Sequence, residues 1–141
     1  VKPANTLAKE ERLTRKKLID DLFAKGRSIK TPALLVIWHP AGLPVELPAQ
    51  VLFTVSKRNF KRAHDRNRIK RLMREAYRVQ KHKMLESLST KGGQYALLFI
   101  FTGRQLPDYA YVHGRMHELL KRIPSAVASA KADTEPPNNE E

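Results

Sequence analysis

Hydrophobic positions along the chain recur with two periods, and these divide it into elements. Leu18, Ile19, Leu22 and Phe23 have helical spacing, and Lys25-Gly26 is a suitable stop for a short first helix. Residues 33–39 are apolar throughout, which predicts a strand covered on both faces over much of its length. Pro40, Gly42, Pro44 and Pro48 then punctuate a loop. Over residues 50–57, Val51, Phe53 and Val55 alternate with Leu52, Thr54 and Ser56, a second strand whose close connection to the first predicts an antiparallel neighbour. Ile69, Leu72, Met73, Ala76 and Tyr77, extended by Met84, Leu85 and Leu88, predict a long helix that starts near Ala63 or Asp65 and stops at Lys91-Gly92-Gly93. Residues 95–101 carry no polar face and predict a central strand. A last helix begins near Asp108 with the stripe Tyr109, Val112, Met116, Leu119, Leu120 and Ile123. Gly114 inside it is less favourable than alanine by about 1 kcal/mol.

This order of helix, strand, strand, long helix, strand and helix predicts an α+β, two-layer sandwich, with a small mixed sheet carrying helices. The long helix is a βαβ crossover if the strands on either side of it are parallel. Residues 1–12 read as a flexible arm, 13–123 as a single domain, and 124–141, beyond Pro124, as a disordered acidic tail. With 141 residues, 41% of them hydrophobic, the chain has material for one compact core. Its longest apolar runs are too short to cross a bilayer, so no membrane partner is expected. No secretory signal pattern opens the chain and no cysteine occurs in it, which suits the cytoplasm.

Charge changes the picture most. A formal net charge of +13 and a pI near 10.3 call for a polyanionic partner. Between Lys57 and Lys83 stand twelve Lys or Arg against two acids, Asp65 and Glu75, a concentration that marks a footprint. On the long helix Lys70, Arg71, Arg74 and Arg78 lie opposite the apolar stripe together with Asn67. Arg66 and Arg68 sit in its first turn, where the macrodipole disfavours a cation by about 0.3 to 1 kcal/mol and welcomes a phosphate. Arg66 projects over the stripe toward a groove beside the sheet, and Arg68 points away. Lys57, Arg58, Lys61 and Arg62 in the preceding loop are expected phosphate contacts. A second cluster, Lys9, Arg12, Arg15, Lys16 and Lys17, reads as a solvated face with a secondary RNA contact as its alternative.

Catalytic chemistry is not evident in the chain. Its acids are scattered over different elements, and no pair is spaced to hold metals for phosphodiester cleavage. His113 and His117 are four residues apart but lack the intervening Glu and a third ligand, so they read as two surface histidines. No glycine-rich phosphate loop or nucleophile elbow occurs. A DNA-reading module would need a dimer or a repeat to set half-site spacing, and neither heptads nor duplication is present, so DNA is not the expected partner. A basic α+β structural protein of the ribosome remains an alternative.

Ser56-Lys57, the basic loop, and then Arg66-Asn67-Arg68-Ile69-Lys70-Arg71-Leu72-Met73-Arg74-Glu75-Ala76-Tyr77-Arg78 form a specific block. It is joined by Arg12-Leu13 and by Phe23-Ala24-Lys25-Gly26-Arg27-Ser28. In these features the chain resembles the protein subunit of bacterial ribonuclease P, over roughly residues 7–123. The resemblance implies a ribonucleoprotein endoribonuclease, a hydrolase of tRNA processing. In it the catalytic RNA, with Mg2+, cleaves precursor tRNA and releases the 5′ leader. It implies no catalytic residue in the protein and no metal of its own. Arg66, Asn67, Arg68, Lys70, Arg71 and Arg74 would contact the catalytic RNA, with Asn67 near metal ions, and Arg78 beyond them is a further expected RNA-binding residue. The leader would lie in a cleft between the first helix and the sheet, lined by Phe23, Ile19 and Ile37. Ile19 and Ile37 stand where aromatics would be expected, which implies a more apolar, less specific groove. Trp38 faces the other side by strand alternation. The resemblance also implies a left-handed crossover, against the usual preference.

Overall fold

A computed structural model describes residues 9–134. A single 3-10 turn, Lys9–Glu11, precedes α1 (Lys16–Lys25), β1 (Arg27–Thr31), β2 (Leu34–Pro40), β3 (Ala49–Val55), α2 (Ala63–Lys91), β4 (Tyr95–Phe101) and α3 (Tyr109–Thr134). The strands form one mixed sheet in the order β1-β2-β4-β3. β1 and β2 pair antiparallel with Thr31 opposite Leu34, and β2 pairs antiparallel with β4. β3 lies parallel to β4 with Val51 opposite Leu97, so α2 is the crossover between parallel neighbours.

Each element follows from its residues. α1 ends at Lys25 because Gly26 brings the chain against β2. A Cβ at Gly26 would lie 2.4 Å from the Ile37 Cγ2 and 2.4 Å from the Leu22 carbonyl oxygen. α2 runs 29 residues and stops where Gly92 takes φ 78°, a conformation that glycine adopts at no steric cost. β4 is apolar on both faces and holds the middle of the sheet, where both of its edges are paired.

The two faces of the sheet are covered unequally. On one, α2 and α3 enclose the main core, in which Phe53 and Phe99 stack at 5.4 Å between centroids and Tyr77 of α2 packs on both at 5.7 and 5.8 Å. On the other, Leu13 and Leu22 cover Ala96 and Leu98, while Leu18, Ile19, Ile37, Leu52 and Ile100 are only partly buried around them.

Four expectations need correction. β1 was not foreseen; its residues Arg27, Ser28 and Lys30 are exposed and only Ile29 reaches the core, so it carries no hydrophobic period. β2 and β3 are not neighbours, because β4 is inserted between them. The arm is not free from residue 9 onward: Arg12 bridges Val51 in parallel register, and the Leu13 N–H donates to the Val51 carbonyl at 2.8 Å. α3 does not stop at Pro124 but continues to Thr134. A proline inside a helix costs about 3 kcal/mol, and here Val127 and Ala130 continue the stripe of Leu120 and Ile123 into the core. The rest of the expected arm and tail, residues 1–8 and 135–141, lies outside the described residues.

Candidate nucleic-acid interface

The basic loop is built before it is charged. Phe60 is buried against Phe101, and Asn59 Nδ2 donates to the carbonyls of Thr102 and Gly103 at 2.9 and 3.2 Å, so the loop is tied to the end of β4. Lys57, Arg58, Lys61 and Arg62 are left exposed around these anchors. Arg66 completes the structure: its Nη1 donates to the carbonyl oxygens of Phe60 and Lys61, both at 2.8 Å. The expectation that Arg66 aims into a groove beside the sheet is thereby corrected. It folds back as a clasp, because the loop carbonyls stand within its reach at the start of α2.

Along α2 the cations separate into groups. Asn67, Arg68 and Arg71 are exposed, while Lys70, Arg74 and Arg78 are half-buried. Arg78 donates through Nε and Nη2 to the two carboxylate oxygens of Glu75. That bond raises the Arg78 pKa and lowers that of Glu75. Arg74 is different: partial burial lowers its pKa, and the nearby charges of Arg12 and Arg71 lower it further. A cation crowded by cations and partly desolvated is better stabilised by an anion than by water.

Arg74 and Lys70 lie one turn apart near the outer edge of β3, where with Arg12, Val51, Leu52 and Phe53 they line a pocket of about 420 Å3. Arg12 was grouped with solvated basics by sequence, and the structure brings it beside α2. Lys81 is also unexpected, since it is buried and its Nζ meets both carboxylate oxygens of Glu11 at 2.8 Å. The available signal was the shared stripe: at about 100° per residue, Lys70, Arg74 and Lys81 fall within about 40° on the wheel.

Of the three residues expected to line a cleft, Ile19 and Ile37 lie on the thinly covered face and Phe23 is on α1, which packs over it. Ile19 and Ile37 are half-buried, and Phe23 is 63% exposed, so plain core packing does not account for it. Trp38 turns to the opposite face, where it is buried and meets Tyr95 edge-on at 6.1 Å. His113 and His117 help to join α2 to α3: His117 Nδ1 lies 3.1 Å from Gln80 Oε1, and Gln80 Nε2 donates to the His113 carbonyl at 3.1 Å. Among the described residues no group of three His, Asp or Glu side chains could hold a metal ion, and no helix is long and apolar enough to cross a membrane.

Comparison with known proteins bears on family and fold. The family model described as Ribonuclease P matches residues 7–124. The Ribonuclease P protein component of Chlorobaculum tepidum is 37% identical over 86% of this chain and 85% of its own length. That of Porphyromonas gingivalis is 32% identical over 94% and 97%. Among solved structures, the RNase P protein of Staphylococcus aureus superposes with a TM-score of 0.62 at 19% identity, over 80% of this chain and 94% of its own. The RNase P protein from Thermotoga maritima does so with a TM-score of 0.62 at 21% identity, over 79% and 96%. At such identities the superpositions speak to the fold.

Proposed function

The chain belongs to the ribonuclease P protein family, and from that premise we propose a division of work among its surfaces. It is the RNA-binding protein subunit of a ribonucleoprotein endoribonuclease and partners the ribonuclease P RNA, in which catalysis resides. The complex removes the 5′ leader from precursor tRNA by endonucleolytic cleavage, in the bacterial cytoplasm.

The outer face of α2 and the loop before it lie on the catalytic RNA. Exposed Arg68 and Arg71, with Lys57, Arg58, Lys61 and Arg62, meet its phosphates, and Arg66 holds the loop in the shape that presents them. Arg78 contributes after exchanging part of its bond with Glu75 for a phosphate. The leader crosses the open sheet face past Ile19, Phe23 and Ile37, where half-buried aliphatic groups accept bases with little sequence preference. Mg2+ belongs to the RNA in this reading. Exposed Asn67 would lie near it in this reading without holding it.

The observation that carries this reading is the rigid basic edge of α2 and its loop, anchored by buried Phe60 and held together by Arg66. The test adds the protein to the catalytic RNA at low Mg2+ and follows precursor-tRNA cleavage. Strong stimulation that fades as salt rises is expected, and an absence of stimulation at any salt overturns the reading. Arg68→Ala should weaken RNA binding and leave the melting temperature in place. Arg66→Ala should also cost about 1 kcal/mol of stability, since two loop carbonyls lose their donor.

A further inference from the structure

The arm is fastened to the domain more firmly than a leading segment requires. The Gln50 Nε2 donates to the Glu10 carbonyl at 2.8 Å, Leu13 is buried, and its N–H bonds the edge of β3. Between them Glu11 reaches Lys81 of α2, with side chains only 13% and 4% exposed. A buried pair of this kind gains little over an apolar pair of the same shape, so its value lies in fixing one arrangement. What it fixes is the residue next to Glu11. Arg12 is held on the outer edge of β3, where it lines the pocket described above together with Lys70 and Arg74.

The chemistry of that pocket is one-sided. Two arginines and a lysine line it together with Leu13, Thr14, Val51, Leu52 and Phe53, and none of the described residues that line it is acidic. The carboxylate of Glu11, next to Arg12 in sequence, is engaged by Lys81. Guanidinium forks match phosphate oxygens in pairs, and apolar side chains beside them suit a sugar or base. About 420 Å3 is room for a single nucleotide.

We propose that Arg12, Lys70 and Arg74 form a pocket for one phosphodiester of a single RNA strand, assembled by the docked arm and kept in register by the Glu11–Lys81 pair. The proposal rests on the RNA-binding reading above and adds to it Arg12 as a binding residue, with Glu11 and Lys81 as positioning residues. Partial burial of Arg74 and its crowding by Arg12 support the geometry, since a bound phosphate relieves both.

Full-length protein carrying Arg12→Ala, Arg74→Ala, or both is titrated against the catalytic RNA across a range of salt. The assembled complex is then titrated against precursor tRNA with and without its leader. Each single change is expected to weaken binding about tenfold in one of these arms, with the double variant little worse than either single, because both side chains hold one group. The log–log salt slope should fall by about 0.7 to 0.9. Loss in the first arm assigns the strand to the catalytic RNA, and loss confined to leader-bearing precursor assigns it to the leader. Fully additive losses, or none in either arm, overturn the pocket.

The pair Glu11→Gln with Lys81→Met removes the clamp without burying an unpaired charge. It should reproduce the slope of Arg12→Ala, and adding Arg12→Ala to it should change nothing more. A further loss on that addition would make the clamp merely structural and overturn its positioning role. The loop variant Lys57→Ala with Arg58→Ala separates the readings. If it weakens RNA binding while Arg12→Ala does not, only the pocket fails, and if neither matters, the RNA reading itself fails.

Discussion

The two faces of the sheet are made of similar residues and do opposite things. On the face under α2 and α3, Val36, Phe53, Phe99 and Phe101 are sealed. On the face under α1, Ile37, Leu52 and Ile100 remain half-open. The cause is helix length. α2 and α3 run 29 and 26 residues, whereas α1 runs 10, about 15 Å, and cannot span the strands it sits on. Apolar surface under the long helices contributes to stability, and apolar surface beyond the short one is left for something else to cover.

The largest break in this contrast comes from the sealed face. Phe99 lies between Phe53 and Tyr77 with no solvent access. Phe99→Ala should cost about 3 to 5 kcal/mol, much of the stability of a domain this size, and chemical denaturation followed by circular dichroism should show it. A loss near 1 kcal/mol would mean that the core collapses around the gap.

Much of this division was legible in the residues, and where it was not the cause is physical. α2 showed its apolar stripe and its cations together, and β4, apolar at every position, announced its central place. β1 was hidden because an edge strand with one inward residue, Ile29, has no period to detect. The pairing of β2 and β3 was misjudged because nearness in sequence does not forbid a later strand from entering between them. The continuation of α3 was visible in the spacing of Ile123, Val127 and Ala130, but the helix-breaking reputation of Pro124 outweighed it. At the candidate site, charge density singled out α2 and the loop before it, while the Glu11–Lys81 pair joins residues 70 apart in sequence and no local pattern announces such a contact.

A smaller break is expected where the two faces share a boundary. Gly26→Ala places a methyl against a backbone carbonyl, which cannot give way as a flexible side chain would, and against Ile37. A cost of about 1 to 3 kcal/mol follows, together with a shift of α1 that should also weaken leader binding. If stability falls and leader affinity does not, the cleft is not set by the seat of α1.

On the open face itself the effect on folding should be smaller still. Ile37→Thr keeps the branched side chain that suits a strand and places a hydroxyl where solvent can reach it. It should therefore cost about 1 kcal/mol or less. Its larger consequence should be weaker affinity for leader-bearing precursor, measured against the same tRNA without a leader.

The contrast is sharpest at Phe23, the most exposed of the large hydrophobic side chains among the described residues. At 63% exposure it has little to lose on truncation, so Phe23→Ala should move the unfolding free energy by no more than about 0.5 kcal/mol. If the ring stacks on a leader base, the same change should weaken binding of leader-bearing precursor by about 1 to 3 kcal/mol while leaving affinity for the catalytic RNA intact. Phe23→Leu keeps apolar area but not the flat face, and it should recover little of that loss. Full recovery would show that the groove uses area alone, as its aliphatic neighbours Ile19 and Ile37 do. An unfolding loss comparable to that of Phe99→Ala would erase the distinction between the two faces.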